Sequence, residues 1–207
     1  MSIISPIEIK YAFQSIYYYM NLKSLLFYTT YKCNLSCKYC LHNNYQKQIS
    51  DNFNDNVLNN LGLFIDKHTD KAELLDIGFN GGEPLLQYKT IDNIINTING
   101  IRDNNVFTVI TNFAYDIEDQ LYVLKKFADI CISLDGPHLI TNQGRGDGVF
   151  EKIMINIDNL SWDIKEKLSF NATINKDNIT NLYKTYEWFQ NLQFGDVFFI
   201  WKCWRYL

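Results

Sequence analysis

Three cysteines stand within eight residues, in Cys33-Asn34-Leu35-Ser36-Cys37-Lys38-Tyr39-Cys40, with three and then two residues between them. In a reducing compartment such crowding reads as metal ligation before it reads as disulfides. Thiolates on one short loop can hold three irons of a cubane cluster, which leaves the fourth iron free to take a substrate or cofactor. A zinc site would want a fourth ligand, and His42 is near enough in the chain to be considered. Disulfide pairing would leave one of the three over. Unligated core cysteines are the blandest alternative.

Further along, Asn80-Gly81-Gly82-Glu83-Pro84 combines two glycines, which let a backbone approach a ligand closely, with the carboxylate of Glu83. A plain turn before a helix would use the same residues. Ser133-Leu134-Asp135-Gly136-Pro137 and the later Arg145-Gly146-Asp147-Gly148-Val149-Phe150 read as strand, turn and helix cap. Arg145 nonetheless offers the fork that suits a carboxylate. Thr111-Asn112 supplies either a polar wall or a strand-end hydrogen bond. Asn171, Thr173 and Asn175 alternate and fit one face of a strand. His68 closes a helix, His138 follows a turn, and Cys131 is a small buried apolar residue inside a strand. Cys203 and Trp204 point toward nothing that the sequence identifies.

The elements that must carry these residues alternate regularly. Six apolar runs rich in β-branched and aromatic residues have the pattern of strands buried on both faces: 25–30, 74–79, 106–110, 130–134, 168–174 and 197–201. Between them lie helical stripes. Val57, Leu58, Leu61, Phe64 and Ile65 form the first, with Asp55 as a cap; Ile91, Ile94, Ile95 and Ile98 form the second, stopped by Asn99-Gly100. Ile117, Leu121, Leu124 and Phe127 make a third, Ile153, Ile157 and Leu160 a fourth, and Leu182, Tyr186 and Phe189 a fifth. Strands separated by helices imply parallel βαβ units with right-handed crossovers. The expected fold class is α/β, a partial (β/α)6 TIM-like barrel of parallel strands with the site at the C-terminal strand ends. A leader over residues 1–23 would precede a core over 24–207.

Composition narrows the function classes. The 207 residues are 47% hydrophobic and 15% aromatic, which excludes a disordered chain. With 19 basic against 23 acidic side chains the net charge is −4, and no basic footprint for nucleic acid is present. No run of 18 apolar residues suggests a membrane span, and the N-terminus lacks the pattern of a signal peptide. The cytoplasm is the expected compartment.

The Cys-x3-Cys-x2-Cys loop, with Tyr39 before its last cysteine and a strand ahead of it, resembles the signature of the radical S-adenosylmethionine (radical SAM) superfamily. That resemblance implies a partial (β/α)6 barrel, one [4Fe-4S] cluster on Cys33, Cys37 and Cys40, and S-adenosylmethionine as cofactor. It also implies that Tyr39 borders the cofactor and that Gly81, Gly82 and Glu83 hold its amino group. The Ser-Leu-Asp-Gly-Pro segment with Arg145 narrows the resemblance to the anaerobic sulfatase-maturating and SPASM-type peptide maturases. There the Ser133 position contacts the cofactor and the Arg145 position pairs with its carboxylate. Asn112, Thr173 and Ile200 are further candidates for the cofactor wall. The turn after Asn112 is expected to differ from the family's, since Phe113 replaces the glycine of a Thr-Asn-Gly tip. The implied activity is reductive cleavage to a 5′-deoxyadenosyl radical that takes hydrogen from a peptide or protein, with an external flavodoxin- or ferredoxin-type reductant. No side chain need act as general acid or base for that cleavage. Full-length relatives carry a C-terminal extension with further cysteines, which the chain is expected to lack. A compact glycyl-radical-activating enzyme, or a truncated cluster-binding core without turnover, are the alternatives.

Overall fold

A computed structural model of the chain describes residues 21–41, 55–192 and 195–201. Six strands form one sheet: β1 Ser24–Thr30, β2 Leu75–Gly81, β3 Asn105–Thr111, β4 Asp129–Ser133, β5 Leu168–Ile174 and β6 Asp196–Trp201. They lie side by side in chain order, and each neighbouring pair is parallel. Strictly sequential parallel order requires a crossover after every strand, and these run through α1 Asp55–His68, α2 Tyr88–Asn99, α3 Leu121–Leu124, α4 His138–Arg145, α5 Val149–Asp158, α6 Trp162–Lys165 and α7 Leu182–Gln190. The expected six-stranded parallel α/β architecture is therefore present.

One sheet face carries the core. Phe27, Phe79 and Phe107 stack along a row that crosses three strands, with Phe127 edge-on to Phe79. Ile91, Ile94, Ile95 and Ile98 of α2 are fully buried, as their spacing requires of a helix packed on the sheet. Gly100 ends that helix by donating its N–H to the Asn96 carbonyl, and the next N–H, of Ile101, donates to that of Ile98.

Two local expectations need correction, and α4 is not among the expected helices. The stripe from Ile117 to Phe127 is buried but is no long helix; it comprises a 3₁₀ turn, Glu118–Gln120, and the single turn of α3. The stretch between β3 and β4 must first line the strand end and then return, which leaves little chain for helix. Helix α4 lacks an apolar stripe altogether: its buried residues are Thr141 and Arg145, so periodicity could not reveal it. In α7 the inward residues are Thr185 and Phe189, whereas Tyr186 is exposed.

The turn after Asn112 also differs from expectation, in the opposite sense. Phe113 adopts φ 55°, the left-handed conformation that a glycine takes without cost, and it is fully buried. Sequence departs from the Thr-Asn-Gly pattern here while the backbone keeps a glycine-like turn. Left-handed backbone costs an ordinary residue about 1–2 kcal/mol, a sum that burying a phenylalanyl ring can exceed. Asn156 pins the same turn by donating to the carbonyls of Phe113 and Tyr115 at 2.9 and 2.7 Å. Phe113→Ala should therefore lose about 3–5 kcal/mol of stability in urea denaturation. Phe113→Gly should lose no more than the alanine variant, because relief of the backbone offsets the last carbon removed.

Candidate functional site

The cysteine loop follows β1 directly and is held by the end of β2. Gly82 donates its N–H to the Thr30 carbonyl, and Glu83 donates to that of Lys32, both at 2.8 Å. A Cβ at Gly82 would lie 2.3 Å from the Lys32 oxygen and 2.6 Å from that of Tyr31, so only glycine permits this contact. Gly81, at φ 151°, pairs with Thr30 where the β1 register shifts. The two glycines thus seat the loop that carries the thiols.

Within the loop Cys37 is buried and Cys33 and Cys40 are half-buried, all three free of disulfides. Burial pushes the Cys33 thiol up to about 11; the Leu35 N–H opposes that rise, and the charges of Glu83 and the other two cysteines add to it. Burial likewise raises Cys37, against the pull of the Arg145 guanidinium. Three thiols on one loop are a soft donor set of the kind that could hold an iron–sulfur cluster. Among the described residues no three His, Cys, Asp or Glu side chains converge to share one metal ion, whereas a cubane gives each cysteine its own iron. His42, considered for zinc, lies outside the described residues, as do Cys203 and Trp204.

Asp135, which sequence reasoning did not single out, is the centre of the site. Its Oδ1 receives Arg145 Nη2 at 2.7 Å and the Thr173 N–H at 3.0 Å, and its Oδ2 receives the Tyr39 hydroxyl. The Arg145 guanidinium also stands 5.6 Å from the Tyr39 ring centre. One buried carboxylate thereby links the cysteine loop, the end of β4, α4 and β5. Burial alone would lower the Arg145 pKa, but the Asp135 charge beside it outweighs that and raises it; burial and Asp135 raise the Tyr39 phenol. Lys38 N–H also donates to the Gly144 carbonyl at 2.9 Å, which ties the loop to α4 a second time. Proximity in space is the signal that joins Asp135 to Tyr39, and nothing in their sequence separation carries it.

Two of the residues expected at the cofactor have protein partners in this structure. The Glu83 carboxylate faces inward, fully buried: Oε1 accepts from Leu85 N–H at 3.1 Å and Thr111 Oγ1 at 2.7 Å, and Oε2 accepts from Asn112 N–H at 2.6 Å. In this arrangement it clasps β2 to β3. Arg145 Nη2 is engaged by Asp135, although its Nε is buried without a hydrogen-bond partner. Asn112 turns toward the loop: its Nδ2 donates to Asn34 Oδ1 at 2.8 Å and to Cys33 Sγ at 3.5 Å. Ser133 closes β4 and is half-buried, paired in register with Asn171. Thr173 is buried and in register with Ile200, whose side chain is outside the described residues. A cavity of about 260 Å³ opens between the loop, α4 and the turn after β5, bordered by Lys38, Tyr39, Gln143, Gly144, Asn175 and Lys176.

The family model of the 4Fe-4S single cluster domain matches residues 23–144, a stretch that holds the cysteine loop, the double glycine, Asn112 and Asp135. The chain belongs to that family. The radical SAM resemblance is borne out as well. The chain is 27% identical over 188 residues to the radical SAM cyclopropyl synthase TigE of Paramaledivibacter caminithermalis, covering 82% of this chain and 38% of TigE. It superposes on anSMEcpe with bound AdoMet and the Cp18Cys peptide at a TM-score of 0.72 and 23% identity, over 86% of this chain and 50% of that one. Against Streptococcus suis SuiB bound to its precursor peptide SuiA the TM-score is 0.64 at 15% identity, over 93% and 42%. The chain thus spans well under half of TigE and about half of anSMEcpe. Among the described residues no helix is long and apolar enough to cross a membrane.

The buried pair makes a direct prediction. Asp135→Ala leaves Arg145 buried and unpaired and should cost about 3–5 kcal/mol in urea denaturation of the cluster-free chain. Asp135→Leu combined with Arg145→Met should cost less than the single alanine change.

Glu83 predicts a pH dependence. Burial pushes its carboxyl from an ordinary 4.5 to about 7, against the hydrogen bonds of Asn112, Thr111 and Leu85. The folded value lies above the unfolded one, so the stability this group contributes is complete below about 4.5 and is lost as the pH rises through 7. The cluster-free chain should grow less stable across that window. Glu83→Gln should flatten the slope in denaturation midpoints taken at successive pH values.

Proposed function

We propose that this chain is a radical SAM enzyme core that acts on a peptide or protein. The observation that carries the reading is the position of Cys33, Cys37 and Cys40: one loop, at the C-terminal end of the first strand of a six-stranded parallel sheet, seated by Gly82 and braced by Asp135. Loops at those strand ends are where such barrels carry their sites.

When bound, a [4Fe-4S] cluster and S-adenosylmethionine would supply one-electron cleavage to a 5′-deoxyadenosyl radical and hydrogen abstraction. The protein's own work is to hold and orient. Cys33, Cys37 and Cys40 are the three cluster ligands. Tyr39 is fixed between two of them by its bond to Asp135, with Arg145 over its ring. The backbone of Gly81 and Gly82, Ser133, Thr173 and the unpartnered Nε of Arg145 line the same end of the sheet and are the candidates for cofactor contacts. No general acid or base is assigned.

A peptide substrate is supported by the company the chain keeps, since anSMEcpe and SuiB are both seen with bound peptides. A flavodoxin- or ferredoxin-type protein would deliver the electron, and the reading places the enzyme in the cytoplasm. The core would run over 24–207, after a leader at 1–23.

Anaerobic reconstitution with iron and sulfide should load one cluster equivalent per chain. Added dithionite and S-adenosylmethionine should then yield 5′-deoxyadenosine and methionine, detected by liquid chromatography and mass spectrometry. Cys33→Ala, Cys37→Ala and Cys40→Ala should each abolish both loading and product. A loaded wild-type chain that forms no 5′-deoxyadenosine would sink the enzyme reading.

A further inference from the structure

One polar side chain is aimed at a cluster ligand and is left without a task by the reading above. Asn112 is nine-tenths buried, and its Nδ2 stands 3.5 Å from Cys33 Sγ. The amide is not free to turn over. Its Oδ1 accepts the Ala114 N–H at 2.9 Å, which fixes the oxygen on that side and forces the NH₂ toward the loop. One of its hydrogens serves Asn34 Oδ1 at 2.8 Å and the other is left for the sulfur. The backbone of Asn112 is anchored as well, through its N–H to Glu83 Oε2 at 2.6 Å, and the left-handed Phe113 turns the chain away immediately after it. The Leu35 N–H, at 3.4 Å from the same sulfur, is a second donor.

We propose that Asn112 is a positioning residue that tunes the cluster through Cys33 by an N–H···S hydrogen bond, resting on the assignment of a [4Fe-4S] cluster to this loop. Reduction adds negative charge to a cluster and its thiolates. A donor aimed at a ligand sulfur stabilises the reduced form more than the oxidised one, so it raises the reduction potential. The third strand thereby sets how readily the cluster accepts its electron. In an electron-driven reaction this sets the balance between ease of reduction and driving force for the next transfer.

The test is a redox titration of the reconstituted chain without S-adenosylmethionine, monitored by electron paramagnetic resonance. Iron and sulfide are counted alongside. Asn112→Ala removes the donor and should shift the midpoint to lower potential at full loading. Asn112→Asp places an acceptor where the donor stood and should shift it further in the same direction. Asn34→Ala breaks the loop-side tie but leaves the amide on Cys33, and it should leave the midpoint close to that of the wild type. An unmoved midpoint in loaded Asn112→Ala overturns the proposal. So does an equal shift in Asn34→Ala, which would make the effect one of loop structure. Loss of loading in both Asn112 variants while Asn34→Ala loads normally would likewise overturn it, by marking Asn112 as a structural support. A wild-type chain that loads no cluster overturns this inference and the cluster assignment together.

Discussion

A loop that carries three thiols and buries few apolar side chains has to be shaped from outside. Here the decisive contact is the buried carboxylate of Asp135, which receives Tyr39 from the loop, Arg145 from α4 and Thr173 from β5. Segments far apart in the chain are held in one arrangement by one side chain. A buried ion pair of this kind is not a cheap source of stability, because desolvation cancels much of the attraction. What it provides is a single geometry. Arg145 cannot move without stranding Asp135, and Tyr39 cannot move without losing its acceptor. The two cysteines on either side of Tyr39 inherit that restriction.

Glu83 performs the complementary task on the other flank. Its donors include Leu85 beyond β2 and Thr111 and Asn112 at the end of β3, so the tips of β2 and β3 are locked together. Because Glu83 N–H also holds the Lys32 carbonyl, the same residue joins this clasp to the start of the cysteine loop. Gly82 makes that approach possible by having no Cβ to intervene. The glutamate of that motif thus supports the cysteine loop.

Much of this was legible in sequence. The alternation of six apolar runs with helical stripes placed every strand within a residue or two, because β-branched and aromatic runs favour strand and a helix covering the sheet must repeat every three to four residues; the expected burial on both faces does not hold for β1, β2 and β3, along which burial alternates. The cysteine spacing exposed the ligand loop for an equally local reason. What remained hidden is non-local or polar. Asp135 and Tyr39 are 96 residues apart and meet only in the fold. Helix α4 buries a threonine and an arginine, which no hydrophobic period can report. Phe113 takes a backbone conformation that its side chain disfavours, so residue type misdirected the reading of that turn. Glu83 was noticed for its charge, while its burial, which decides its behaviour, depends on Thr111 and Asn112 in another strand.

Two buried carboxyl groups flank the same thiols and are treated differently, and the difference follows from their neighbours. Asp135 is matched by a guanidinium at 2.7 Å. Glu83 has only neutral donors around it, and burial pushes its carboxyl up to about 7. The charge on Glu83 is one of the factors that raise the Cys33 thiol, so an ionised Glu83 works against the thiolate that a cluster requires. Without a cation of its own, Glu83 spends more of the neutral range protonated, and the negative charge near Cys33 is correspondingly reduced. Donors aimed at Cys33 from Asn112 and Leu35 act in the same direction. The end of the sheet is thus arranged so that positive potential and N–H groups converge where thiolate charge must accumulate, while the one carboxylate kept beside an arginine is spent on holding the loop.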